Sequence, residues 1–263
     1  MENLNKTMSE VINKEITYQD GKIGNKLENL FNSIPFIPIH KIIAESFFDN
    51  ARIGMLPFIA SQNINFNDGG IYEVSYSSLN EICEIMGSIQ ATFLTFTFVE
   101  IDPSDQRLQV SPYSQSEMIY MVASLQTIKE RTIDENNYLL VNANPNFPLE
   151  ELKISDEELE IFRSKFQCNG HIILNNYFKK ENTRTIRYHL DDLKDTLAND
   201  ISEKYTIHLC QISNVMKIIS DHNLRDVLNE DQYREHFQAR EKQMTLIFTT
   251  DNEGYYDMGS LRP

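Results

Sequence analysis

Apolar positions recur at helical spacing along much of this chain. Leu4, Met8, Val11 and Ile12 fall at i, i+4, i+7 and i+8, on one face of a helix. After a turn at Asp20-Gly21, Ile23, Leu27, Leu30, Phe31 and Ile34 repeat the pattern until Pro35 stops it. Pro38 suits the first turn of a third helix, with Ile39, Ile42, Ile43 and Phe47 on its apolar face. Residues 1–50 are therefore expected to form a helical N-terminal arm or hairpin, and residues 51–263 a mixed α/β globular domain.

Beyond residue 70 the pattern alternates. Ser78 with Glu81, Ser114 with Glu117 and Ser155 with Glu158 have capping-box spacing, in which each side chain bonds the other residue's free backbone N–H. Apolar residues at helical spacing follow each box: Ile82, Ile85, Met86 and Ile89, then Met118, Met121, Val122 and Leu125, then Leu159, Phe162 and Phe166. Ile186, Leu190, Leu193, Leu197 and Ile201 form a further stripe, with Thr183 as its cap. Strands are expected at Phe93 to Val99, Tyr138 to Val141, His171 to Leu174, Tyr205 to Cys210 and Thr245 to Thr249. Phe93 to Val99 is apolar on both faces except for two threonines, which suits a central strand covered on both sides. Asn67-Asp68-Gly69-Gly70 and Asp251-Asn252-Glu253-Gly254 read as hairpin turns, and Asn142 to Pro148 as a surface loop. The fold class that follows is α/β or α+β, a mixed sheet covered by amphipathic helices.

Composition narrows the function classes. A chain that is 41% hydrophobic is too apolar for general disorder. A formal charge of −15 argues against binding a nucleic-acid backbone, which needs clustered Lys and Arg. The most apolar stretch, Ala91 to Ile101, is too short to span a bilayer, where about 20 residues are needed. Three cysteines do not make a disulfide framework, so a reduced, cytoplasmic setting is expected, with no membrane partner. No GxGxxG or GxxxxGK[ST] cradles a phosphate, and GxSxG, HExxH and the EF-hand loop are also missing.

Three residue sets carry candidate chemistry. His189 and Asp191, with His236 later in the chain, resemble the HxD…H facial triad of non-haem iron oxygenases. In a strand the first two point the same way, whereas a helix separates them by about 200°. The surrounding stripe favours the helix. Asp191, Asp192 and Asp195 have the DDxxD spacing of the magnesium-diphosphate motif of terpene and prenyl synthases, but no second metal motif accompanies them. A solvated acidic face explains them better. Cys168, His171, His208 and Cys210 would supply a zinc set if their two segments met, or a Cys168 nucleophile with a histidine base. Buried core residues are the simpler account. Phe47-Phe48 and Tyr255-Tyr256 are aromatic clusters suited to packing or to an interface.

The expectation that results is a cytoplasmic, non-catalytic protein acting through protein–protein contacts or as a homo-oligomer, without a cofactor. One alternative is a metal-dependent enzyme, with His189, Asp191 and His236 on iron or the Cys/His set on zinc. The other is a small-ligand binding module.

Overall fold

The computed structural model describes residues 37–102, 117–127, 132–141, 150–257 and 260–262. The two helices expected within residues 1–34, Ser114 and the loop at 142–148 lie outside them. In chain order the described elements begin with β1 (Ile37–Pro38), α1 (Lys41–Asn50), a π-helical turn (Ala51–Met55) and α2 (Leu56–Ser61). Then come β2 (Ile64–Phe66), β3 (Ile71–Ser75), α3 (Tyr76–Ser88), β4 (Phe93–Ile101), β5 (Glu117–Gln126), β6 (Thr132–Leu140) and β7 (Lys153–Ile154). They continue with α4 (Asp156–Cys168), α5 (Gly170–Phe178), β8 (Thr185–His189), α6 (Leu190–Asn199) and β9 (Lys204–Gln211). The last are α7 (Val215–Asp221), α8 (Glu230–Phe237), β10 (Met244–Thr250), β11 (Tyr255–Asp257) and β12 (Ser260–Arg262).

The strands form two sheets. Sheet A has the order β1-β11-β10-β9-β3, and sheet B the order β12-β8-β4-β5-β6-β7 with β2 also on β5. Every pairing is antiparallel except β2 with β5. The class is therefore α+β, with antiparallel sheets and several helices.

Pleat alternation sorts the side chains into layers. Leu94, Phe96 and Phe98 of β4 face Leu246 and Phe248 of β10 and Tyr205, Ile207 and Leu209 of β9, so the two sheets share one core. Phe96 and Tyr188 approach the Phe248 ring at 6.2 and 5.4 Å between centroids. The alternate residues of sheet A, Cys210 and Ile247, pack under α1, α7 and α8 through Ile43, Phe47, Ile219, Tyr233 and Phe237. On the outer face of sheet B, Val99, Ile101, Tyr120, Val122 and Leu139 pack under Leu159 of α4. Every residue of β4 is buried, because it is hydrogen-bonded on both edges and covered on both faces.

Several expectations are met: α1 with its buried Phe47, α3, α4 with its complete Ser155–Glu158 capping box, the strands at 93–101 and 204–211, and the Asp251–Gly254 hairpin. Four are corrected. Residues 117–126 are a strand, not a helix; both faces of β5 are covered, so apolar residues at every position mimic helical spacing. Residues 171–174 belong to helix α5, not to a strand. The 186–201 stripe is split, with Ile186 in β8 and Leu190 opening α6; His189 is the N-cap, while the Thr183 hydroxyl donates to Met244 O. Asn67–Gly70 does turn, through positive φ at Asp68, Gly69 and Gly70, but the flanking strands are not a hairpin. β2 joins sheet B and β3 joins sheet A, so the turn carries the chain from one sheet to the other. The N-cap of α3 is Ser75 rather than Ser78.

Candidate functional site

The outer face of sheet B changes character halfway along its strands. The end under α4 is apolar. At the other end the antiparallel register lines up Thr97 with Thr185, Thr95 with Arg187, and Phe93 with His189. On the far side of β4, Thr95 stands opposite Ser124 and Phe93 opposite Gln126, and Ser124 in turn opposes Asn137 of β6. Opposed residues of an antiparallel pair share a face, so these side chains form one polar layer over four strands. Thr95, Thr97, Ser124, Asn137 and Arg187 are buried, whereas Thr185, His189 and Gln126 are half-buried at its rim.

Part of this layer is internally satisfied. The Ser124 hydroxyl donates to Asn137 Oδ1 at 2.6 Å, and Asn137 Nδ2 donates to Asp156 Oδ1 at 2.7 Å, tying the sheet to the first residue of α4. The Thr95 hydroxyl donates to Gln126 Oε1 at 3.1 Å. The Arg187 guanidinium lies 5.6 Å from the Phe93 ring centroid, a cation–π placement. Phe93 also meets the His189 ring edge-on at 5.5 Å. Thr97 and Thr185 are opposed across the β4–β8 pair, and neither hydroxyl has a hydrogen-bond partner among the described residues. Thr97 is 4% exposed.

A second polar concentration closes on itself. Asp200 Oδ2 accepts from the Thr250 hydroxyl and the Tyr256 hydroxyl, both at 2.8 Å, and Oδ1 accepts from Asn252 Nδ2 at 2.9 Å. Burial disfavours the Asp200 charge, but these three donors outweigh it and hold the carboxyl below its ordinary range. The same burial, aided by the Asp200 charge, pushes the Tyr256 phenol up to about 12. With three donors from the chain on one carboxylate, this cluster fastens the β10–β11 turn.

The structure brings His189 and Asp191 together but not His236. His189 Nδ1 accepts the Asp191 backbone N–H at 3.2 Å as the helix cap, and the Asp191 carboxylate lies 3.6 Å from it. His236 sits on α8, edge-on to Phe237 at 4.4 Å, and Phe237 packs with the cluster under the outer face of sheet A, whereas His189 ends β8 of sheet B. Asp192 is half-buried beside Asp191 and Asp195; burial first, then those neighbours, raise its pKa.

The zinc set is dispersed as well. Cys168 is exposed at the end of α4, and buried His171 donates through Nε2 to Asn182 O at 3.0 Å. His208 shares a 3.1 Å hydrogen bond with the Thr249 hydroxyl and meets the Phe48 ring at a tilt, 4.7 Å between centroids. Burial lowers its pKa to about 4. The Cys210 thiol donates to His208 O at 3.2 Å. Among the described residues no three His, Cys, Asp or Glu side chains are placed to hold a metal ion. No helix among them is long and apolar enough to cross a membrane.

Thr185, Arg187 and their layer were missed because residues 185–189 were assigned to a helix. The signal was present as the polar period-two alternation Thr185-x-Arg187-x-His189. No protein-family model, curated protein or solved structure matches this chain.

Proposed function

We propose that this protein is a binding module for a small polar ligand, held at the polar end of the outer face of sheet B. The Thr97–Thr185 pair carries the reading. Two neighbouring hydroxyls on a largely buried face have no partner among the described residues. Thr97 is almost fully buried, so a face serving only packing would favour valine at that position. Ligand sites have this composition: an apolar and aromatic wall, here Phe93 and Val122, with a few fixed polar groups for orientation. Ser124, Asn137 and Thr95 are locked by their own bonds and give the site a rigid floor.

The expectation of a protein that works through protein–protein contacts rests on the arm within residues 1–34, outside the described residues. The metal-dependent alternatives draw no support from three converging ligands among the described residues.

Thermal unfolding of the full chain tests the reading, using three probe classes at millimolar concentration: a polyol, a dicarboxylate and inorganic phosphate. A ligand bound to the native state alone raises the midpoint by mass action. At least one class is expected to raise it in the wild type, and the Thr97→Val/Thr185→Val double variant is expected to lose the response while remaining folded. No response from any class, or an equal response in the double variant, overturns the proposal.

A further inference from the structure

Away from sheet B, a cleft of about 100 Å³ opens between α7 and α8. Its walls come from Ser213, Asn214, Val215, Met216, Tyr233, Gln238 and Glu241, with Asn214 Oδ1 already accepting the Lys217 N–H. Among the described residues Glu241 is the only charged side chain in the lining, it is half-buried, and its carboxylate has no ion-pair or hydrogen-bond partner. The Gln238 amide is likewise unengaged, so its carbonyl oxygen is available as an acceptor. The Ser213 hydroxyl shares one hydrogen bond with Ser46 at 2.8 Å and keeps a lone pair. The Tyr233 hydroxyl accepts from the His40 backbone N–H at 3.2 Å, which fixes a buried aromatic ring in the wall. Val215 and the half-buried Met216 supply the apolar surface.

We propose that this cleft binds an alkylammonium group. Glu241 would take the cationic head, with Ser213 and Gln238 oxygens accepting the remaining N–H bonds. The Tyr233 ring, Val215 and Met216 would cover the carbon stem. A volume near 100 Å³ admits an ammonium head and a short chain, at roughly 30 Å³ for each water displaced. Lys180, whose ammonium lies against this segment, does not fill this role. Its Nζ donates to the backbone carbonyls of Ala239 at 2.7 Å and Glu241 at 3.3 Å, not to the Glu241 carboxylate. An acidic protein of net charge −15 also attracts small cations to its surface, which favours encounter over any anionic ligand.

The Met216 methyl group is a reporter inside the site. In full-length protein carrying ¹³C-methyl methionine, the Met216 resonance is assigned by its loss in Met216→Leu. Titration with n-butylammonium is expected to move that resonance along a saturable curve. The isosteric neutral n-butanol is expected to leave it in place. Glu241→Gln, which keeps shape but removes charge, is expected to weaken the amine by about tenfold or more, the loss of one charge-assisted hydrogen bond. A parallel titration with Nα-acetyl-lysine amide separates the sources. If it matches butylammonium, the site accepts lysine side chains; if it is silent, only free amines enter. A Met216 signal that ignores butylammonium, follows butanol equally, or responds unchanged in Glu241→Gln overturns the proposal.

Discussion

Gly254 sits where the β10–β11 turn folds back over Asp200. A Cβ there would press into Asp200 Oδ2 and come within 2.8 Å of both the Thr250 hydroxyl oxygen and the Tyr256 ring. Gly254→Ala is therefore expected to destabilise the protein by about 1–3 kcal/mol, the usual range for overpacking, measured by urea unfolding. Two titrations contribute to the acid response. Asp200 has a folded pKa below its unfolded value of 3.8, so its contribution is complete above that range and is lost as pH falls through the folded value. His208 is also depressed, from 6.5 to about 4, because the folded site holds it neutral. The unfolded chain then binds the extra proton between those values, and stability is lost as pH falls from about 6.5 to about 4. His208→Gln should flatten the profile of melting midpoint against pH in that upper window. Asp200→Asn should lower stability at neutral pH and remove the loss at the acid end. An unchanged upper window in His208→Gln would show that the buried imidazole is not its source.

At the scale of elements, caps carry more than propensity. The N-terminus of α4 is closed by a reciprocal pair, Glu158 N–H to the Ser155 hydroxyl at 3.2 Å and Ser155 N–H to Glu158 Oε2 at 2.9 Å. Ser155→Ala should cost about 1 kcal/mol, read from chemical denaturation, and Glu158→Gln less, because the amide oxygen can still accept. This cap was legible in the sequence because its whole signal lies within four residues. The Ser114–Glu117 match was equally local and misleading, since Glu117 opens a strand whose partners, β4 and β6, are set by pairing that no local window contains. The candidate site divides the same way. Thr95 and Thr97 stood out in the sequence as polar interruptions of an apolar run, yet their neighbours Thr185 and Arg187 come from a strand almost ninety residues on. Only register reveals that they share a face. His189 was noticed as half of a metal motif, while its role in the fold is to cap α6 across the strand–helix boundary.

At the scale of the whole molecule, the two sheets share one core, so damage there should spread to both. Phe96 is fully buried on β4 and its ring meets those of Tyr188 and Phe248, one from each sheet. Phe96→Ala is expected to cost about 3–5 kcal/mol, with far-ultraviolet and near-ultraviolet signals lost in a single transition. Two separated transitions would show that the sheets unfold independently. The polar end of sheet B should behave differently. Thr97→Val is expected to leave the unfolding free energy unchanged or to raise it, because it removes an unengaged hydroxyl from a largely buried position.

The order of strands has a consequence during synthesis. Sheet A takes β1 and β3 from the early part of the chain, but their partners are β11 and β9 near its end. In sheet B, β4 waits for β8 to complete its second edge. A nascent chain leaving the ribosome thus exposes Tyr72, Val74 and the apolar positions of β4 until residues beyond 204 have emerged. At roughly 5–20 residues per second that interval lasts several seconds. Pairing strands so far apart in the chain also makes spontaneous refolding slow. Recovery of native protein after dilution from denaturant should therefore fall as protein concentration rises, with aggregation competing for the unpaired edges.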